Sequence, residues 1–198
     1  IWQLGEEEEA LRYGSKPGYV KIRDIDGDGK ITPEKDKVVL GNPFPSWTGG
    51  MTNTFTYKGF DLSFFIYTRQ GVFMKSAYHS ELVSDFGGTR YNVANVPYWT
   101  PNRPSNQYPA AGAPNNYADK AYYKDCSFWR VGHITLGYDF SPLMSKSVGI
   151  SNFRAYLQVN NPFVFTKYDG WDPEWADKGC GDTPLNGVTY TLGVNLSF

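Results

Sequence analysis

Val188-Thr189-Tyr190-Thr191-Leu192-Gly193-Val194-Asn195-Leu196-Ser197-Phe198 decides the fold. Every second residue from Val188 to Phe198 is apolar, and those between them are polar or glycine. Successive side chains of a β-strand point to opposite faces, so one face of this segment meets a greasy surrounding and the other a wet one. Three more segments repeat the pattern. Phe60, Leu62, Phe64 and Ile66 alternate with Asp61, Ser63, Phe65 and Tyr67; Ile134, Leu136 and Tyr138 alternate with His133, Thr135, Gly137 and Asp139. Phe153, Ala155, Leu157 and Val159 alternate with Arg154, Tyr156, Gln158 and Asn160. A weaker fifth strand covers 48–57, where Phe55 and Tyr57 oppose Thr52, Thr54 and Thr56. Helical periodicity is nearly absent.

Strands of about ten residues are long for a sandwich and suit a tilted crossing of a bilayer by a β-barrel. The connections agree. Tyr57-Lys58-Gly59 and Phe140 to Ser151 are short, whereas 73–124 and 167–187 are long. Short and long connections alternate in outer-membrane barrels, with turns on the periplasmic side and loops outside. Taking the C-terminus as periplasmic puts every short turn on that side. Aromatics then fall at both interfaces: Tyr57, Phe60, Tyr138, Phe140 and Phe198 at one, Phe163, Phe165, Tyr168 and Trp171 at the other. Leu192, Val194, Leu196, Leu157, Leu62 and Ile134 should be exposed wherever lipid is absent. Five strands cannot close a membrane barrel, which needs at least about eight, and an open edge in lipid leaves backbone groups unpaired. The sequence therefore predicts an all-β portion of a larger barrel, with the remaining strands outside this chain.

Composition narrows the function. Nineteen Lys+Arg against 20 Asp+Glu give a net charge of −1, which lacks the basic excess that nucleic acid demands. Aromatic content of 17% excludes disorder. No apolar run is long enough for a transmembrane helix. Two cysteines cannot build a disulfide scaffold, although Cys126 and Cys180 both fall on the outer side of this topology, where a disulfide between them is chemically permitted. His79 and His133 show no metal-ligand spacing, and no serine sits in a nucleophile motif, so an enzyme is not expected.

Several segments together resemble the C-terminal region of the SusC/RagA family of TonB-dependent outer-membrane transporters of Bacteroidota. They are Lys16-Pro17-Gly18-Tyr19-Val20-Lys21, Asp24-Ile25-Asp26-Gly27-Asp28-Gly29-Lys30-Ile31, Leu40-Gly41-Asn42-Pro43 and Tyr57-Lys58-Gly59-Phe60-Asp61-Leu62-Ser63. Further along come Trp129 to Tyr138, Asn160-Asn161-Pro162-Phe163 with proline where the family has leucine, Tyr168 to Glu174, and Tyr190 to Phe198. The resemblance implies a barrel of about 22 strands with a plugged lumen. It implies a plug and a TonB-interacting box outside this chain, and a SusD-like lipoprotein lid over the barrel. It further implies import of oligosaccharides or peptides across the outer membrane. Phe198 resembles the terminal aromatic by which barrel proteins are recognised for assembly. Residues 1–46 then form an extracellular region, and 47–198 the strands with their loops.

Two candidate sites follow. Asp24, Asp26 and Asp28 with Gly29 have the spacing of the first half of a calcium loop, with the Lys30 carbonyl as a further ligand. The twelfth position is Lys35 instead of Glu, which leaves Glu34 or Asp36 to complete the site. Thr32 and Pro33 read as an N-cap and first helical residue. An acidic turn held by Asp side chains is the alternative. The second candidate is loop 73–124, too long to be structureless without purpose. Its Tyr91, Tyr98, Trp99 and Tyr108, with Trp171 from the next loop, suit contact with substrate or partner, while Pro97 to Pro101 resembles the family's Trp-Thr-Pro element, which implies a structural anchor. A secreted calcium-dependent β-sandwich for binding or adhesion is the competing reading, and an outer-membrane barrel enzyme a weaker one.

Overall fold

Lys58 and Gly59 take φ of 48° and 85°, the two left-handed residues a tight I′-type hairpin needs. They join β1 (Trp47–Tyr57) to β2 (Phe60–Gln70), paired antiparallel from Tyr57↔Phe60 to Trp47↔Gln70. The computed structural model describes residues 1–83, 95–114, 122–143, 149–178 and 186–198. Beyond this hairpin lie the short β3 (Phe73–Lys75) and β4 (Tyr123–Asp125), then β5 (Phe128–Asp139), β6 (Asn152–Thr166) and β7 (Thr189–Ser197). One antiparallel sheet runs β1-β2-β5-β6-β7, and β3 pairs with β4 in a separate two-stranded ladder.

The register places the alternating apolar residues on one face. Leu62, Leu136, Leu157 and Leu192 stand in one row across four strands, and Phe64, Ile134 and Val159 in the next. Leu192 is 81% exposed and Val194 57%; Leu196, Leu157 and Leu62 are exposed too. Among the described residues no second sheet of comparable size exists to form a sandwich. Ile134 departs from expectation. It is half-buried, because it lies on a central strand with Phe64 and Val159 on either side.

The alternation changes phase once. Both pairings of β5 shift register at Gly132: Phe65↔His133 is followed by Ile66↔Val131, and Asn160↔His133 by Phe163↔Val131. On β6 the irregularity takes in Asn161, at φ 50°, and Pro162. Proline tolerates such a place because a bulge leaves its residue unpaired. Carrying the even-numbered apolar row of β5 back past Gly132 would put Arg130 on the greasy face. The bulge puts Arg130 on the polar face, beside Tyr67, and turns Trp129 and Val131 outward. Gly132 is required there, since a Cβ would come within 2.9 Å of the Phe65 ring.

Aromatic rings edge the apolar face. At the turn end Phe60, Tyr138, Phe140 and Phe153 form a chain with centroid separations of 4.5, 4.7 and 5.1 Å. At the loop end Trp47 meets Trp129 edge-on at 6.0 Å, beside exposed Phe163 and Phe165. Tyr168 does not join them: it is buried, its ring folded over Gly170.

The chain forms two compact units whose segments interleave. The sheet unit comprises Pro43–Val72, Asp125–Glu174 and Pro184–Phe198; the other comprises Ile1–Asn42, Phe73–Lys124 and Trp175–Thr183. In the second unit, α1 (Glu7–Arg12) is a short, mostly solvated helix with Glu7, Glu8 and Glu9 in its first turn. Trp2 is buried, stacked on Tyr13 and capped by the Lys21 ammonium 4.0 Å from its ring centre. The ladder of β3 and β4 continues through the Ser76 N–H to the Tyr122 carbonyl at 2.7 Å and leads into a π-helical turn, Tyr78–Val83.

Candidate functional site

The acidic turn is built from its own backbone outward. Asp24 accepts the N–H of Gly27 at 2.6 Å and of Gly29 at 2.8 Å, Asp26 that of Asp28 at 3.2 Å, and Asp28 that of Lys30 at 2.9 Å. Gly27 and Gly29 both have positive φ, which lets the chain curl round the carboxylates. The three carboxylates converge to within 4.8 Å of one another. Between two of them lies the Lys35 ammonium, 2.6 Å from Asp28 and 3.2 Å from Asp26. It is pushed up to about 12, first by its hydrogen bond to Asp28, and the same bond lowers the Asp28 carboxyl.

The residues meant to complete the site lie elsewhere. Asp36 spends its two oxygens on the N–H groups of Ile25 and Thr32, both at 2.7 Å, and those bonds hold its carboxyl low. Glu34 is exposed and is not among the converging carboxylates. No helix begins at Thr32: the chain makes a single turn, Asp36 N–H to the Thr32 carbonyl, and Thr32 Oγ1 bonds to nothing. Asp36 caps that turn instead. The donor set thus falls a carboxylate short of a calcium loop and already contains a cation, so this arrangement does not fit the ion.

A second polar cluster lies on the polar face of the sheet, and the sequence reading assigned it no role. Arg130 on β5 is almost wholly buried and donates to Asp172 at 2.6 Å. Glu174 accepts the Tyr67 hydroxyl at 2.9 Å and pairs with Arg69 at 3.1 Å, both from β2. Asn186 bridges the two acids at 3.1 and 3.4 Å. Asp172 also accepts the Glu174 N–H at 2.9 Å, fixing the short 3₁₀ turn that Pro173 starts. Two arginines and two carboxylates balance, and no nucleophile stands among them. The cluster therefore holds segment 168–174 to the strands. The signal for it was an arginine that simple alternation puts on a greasy face. Nearer the turn end, Arg154 on β6 grips Asp61 on β2 through bonds of 2.8 and 2.5 Å. The two meet across the intervening β5 because Gly137 has no side chain there.

The aromatic candidates separate. Trp171 is 47% exposed and Tyr98 44%, and both can reach a ligand or partner; Tyr108 is half-buried. Trp99 is buried at 6%, its indole N–H donating to Gln3 at 2.9 Å and its ring beneath Gly18, so it anchors its unit. Tyr91 and Cys180 lie outside the described residues; Cys126 is fully buried. A serine–histidine contact exists, Ser76 Oγ to His79 Nδ1 at 2.7 Å, with both groups buried at the π-helical turn.

No family model matches the sequence. The TonB-dependent receptor P26 of Formosa agariphila is 30% identical over 217 residues, covering all of this chain and 21% of its own length. The TonB-dependent receptor SusC of Bacteroides thetaiotaomicron is 30% identical over 92% of this chain and 18% of its own. The RagAB peptide importer in its closed-closed state superposes with a TM-score of 0.70 at 26% identity, over 91% of this chain and 21% of that one. This is a SusC/RagA-like C-terminal region. It spans about a fifth of the length of the relatives it matches. The SusC/RagA-like sheet is accordingly a section of a TonB-dependent barrel wall in the bacterial outer membrane, apolar face to lipid and polar face to the lumen.

Proposed function

We propose that the SusC/RagA-like chain forms one sector of an outer-membrane importer that takes up oligosaccharides or peptides and releases them unchanged. The observation that carries this is the two-faced sheet, whose row of exposed Leu62, Leu136, Leu157 and Leu192 is backed by Asp61, Arg154, Tyr67 and Arg130 on the other side. Such a wall is stable only between lipid and a polar lumen. The partners are the remaining strands of the same barrel, membrane lipid, a SusD-like lipoprotein lid, and TonB reached through a plug and box outside this chain. The name of the RagAB peptide importer supports a peptide cargo, and the resemblance to SusC leaves oligosaccharides equally in view.

Deletion of the gene should abolish growth on one polymer class, and loss of TonB should do the same. Labelled cargo should arrive uncleaved, and the lipoprotein should co-purify with the barrel. Growth and uptake untouched by the deletion would remove the transport reading. Cargo cleaved by the purified barrel would favour an enzyme.

A further inference from the structure

The acidic turn carries the inference. We propose that the Lys35 ammonium is the resident cation of the Asp24–Asp26–Asp28 turn, which holds its shape without a divalent ion. A calcium loop of this spacing takes a bidentate carboxylate from its twelfth residue, because that ligand closes the coordination sphere from the far side. Here the twelfth residue is Lys35, and it closes the same ring with a charge of its own. The oxygens it takes, Oδ2 of Asp26 and Oδ2 of Asp28, are those left over once the backbone N–H groups of Asp28 and Lys30 have used the Oδ1 atoms. A divalent ion bound to these same oxygens would stand against the ammonium, and two cations at such a distance repel. Asp36 cannot swing in without abandoning the N–H groups of Ile25 and Thr32. Each acid in the ring thus already has a partner within this segment. The turn is a calcium loop in outline and a lysine-closed loop in chemistry.

The test uses the intact protein in detergent. Tyr13, whose hydroxyl lies 3.4 Å from Asp24, is placed to sensitise terbium luminescence from any ion in the turn. Wild-type protein titrated with terbium, and with calcium in competition, should show no saturable signal across about 10⁻⁴–10⁻³ M, the range of extracellular calcium modules. Lys35→Glu, which removes the ammonium and supplies the missing ligand, should saturate within or below that range. Lys35→Gln should raise deuterium uptake several-fold in the peptide covering 22–37, and leave peptides from the strands unchanged. Saturation of the wild type with the affinity of Lys35→Glu would overturn the proposal. So would unchanged exchange at 22–37 in Lys35→Gln, since the turn would then not depend on its lysine.

Discussion

Arg130 carries the largest single-residue consequence in the sheet. Its guanidinium is out of water and its charge is met by Asp172 and Glu174. Removing one partner of a buried pair strands the other charge, at a cost of about 3–5 kcal/mol. Arg130→Met should therefore lower the stability of the folded barrel by about that much in a denaturant titration. Adding Asp172→Asn to it should recover part of the loss, because the stranded carboxylate is the main penalty. Losses that simply add in the double mutant would mean the two residues act independently. The cluster also explains the exposure of Trp171: its neighbour Asp172 is pinned on the strands, so the indole is left facing outward.

Among the elements, β7 and β5 show what can be read from sequence and what cannot. Period-two alternation is written in the residues, so all five strands and their greasy face were legible. Val194 lies mid-strand on that face, and Val194→Arg should cost about 2–4 kcal/mol in a refolding assay, against about 0–1 kcal/mol for an arginine near either end. A bulge leaves no such mark. Gly132 is one glycine among 21, and only pairing with β2 shows that it is the extra residue. Gly132→Val, whose side chain would meet the Phe65 ring, should disturb the bulge and the seat of Arg130 and so reduce folded protein, as read by heat-modifiable migration. Deleting Gly132 should be milder, because it removes the residue without a partner on β2 and leaves Arg130 opposite Tyr67 on the polar face; a deletion that folds no better than Gly132→Val would count against this account. The acidic turn was half legible for a related reason. Spacing announces the carboxylates, but which cation faces them depends on the reach of the Lys35 side chain, and that depends on a turn at 32–36 that Thr32 does not cap as its type suggests. The Arg130–Asp172 pair lay beyond reach, being 42 residues apart in sequence.

At the scale of the molecule, β1 and β7 each have one partner among the described residues, so both borders of the sheet await strands from elsewhere in the barrel. Phe198 sits beyond the last pair on β7 and is 88% exposed. Its deletion should lower the amount of protein reaching the cell surface far more than it lowers the melting temperature of what has assembled; equal surface levels would reduce Phe198 to one more interfacial ring. The ladder of β3 and β4 has a different reach. It clasps the two ends of the segment between Lys75 and Tyr123, setting them about 5 Å apart whatever lies between. Once the ends are clasped, doubling the enclosed length costs only about 0.6 kcal/mol in closure entropy. The segment between Lys75 and Tyr123 is thus held at a mouth of fixed width: its length can change at little cost while the two strands that clasp it stay paired.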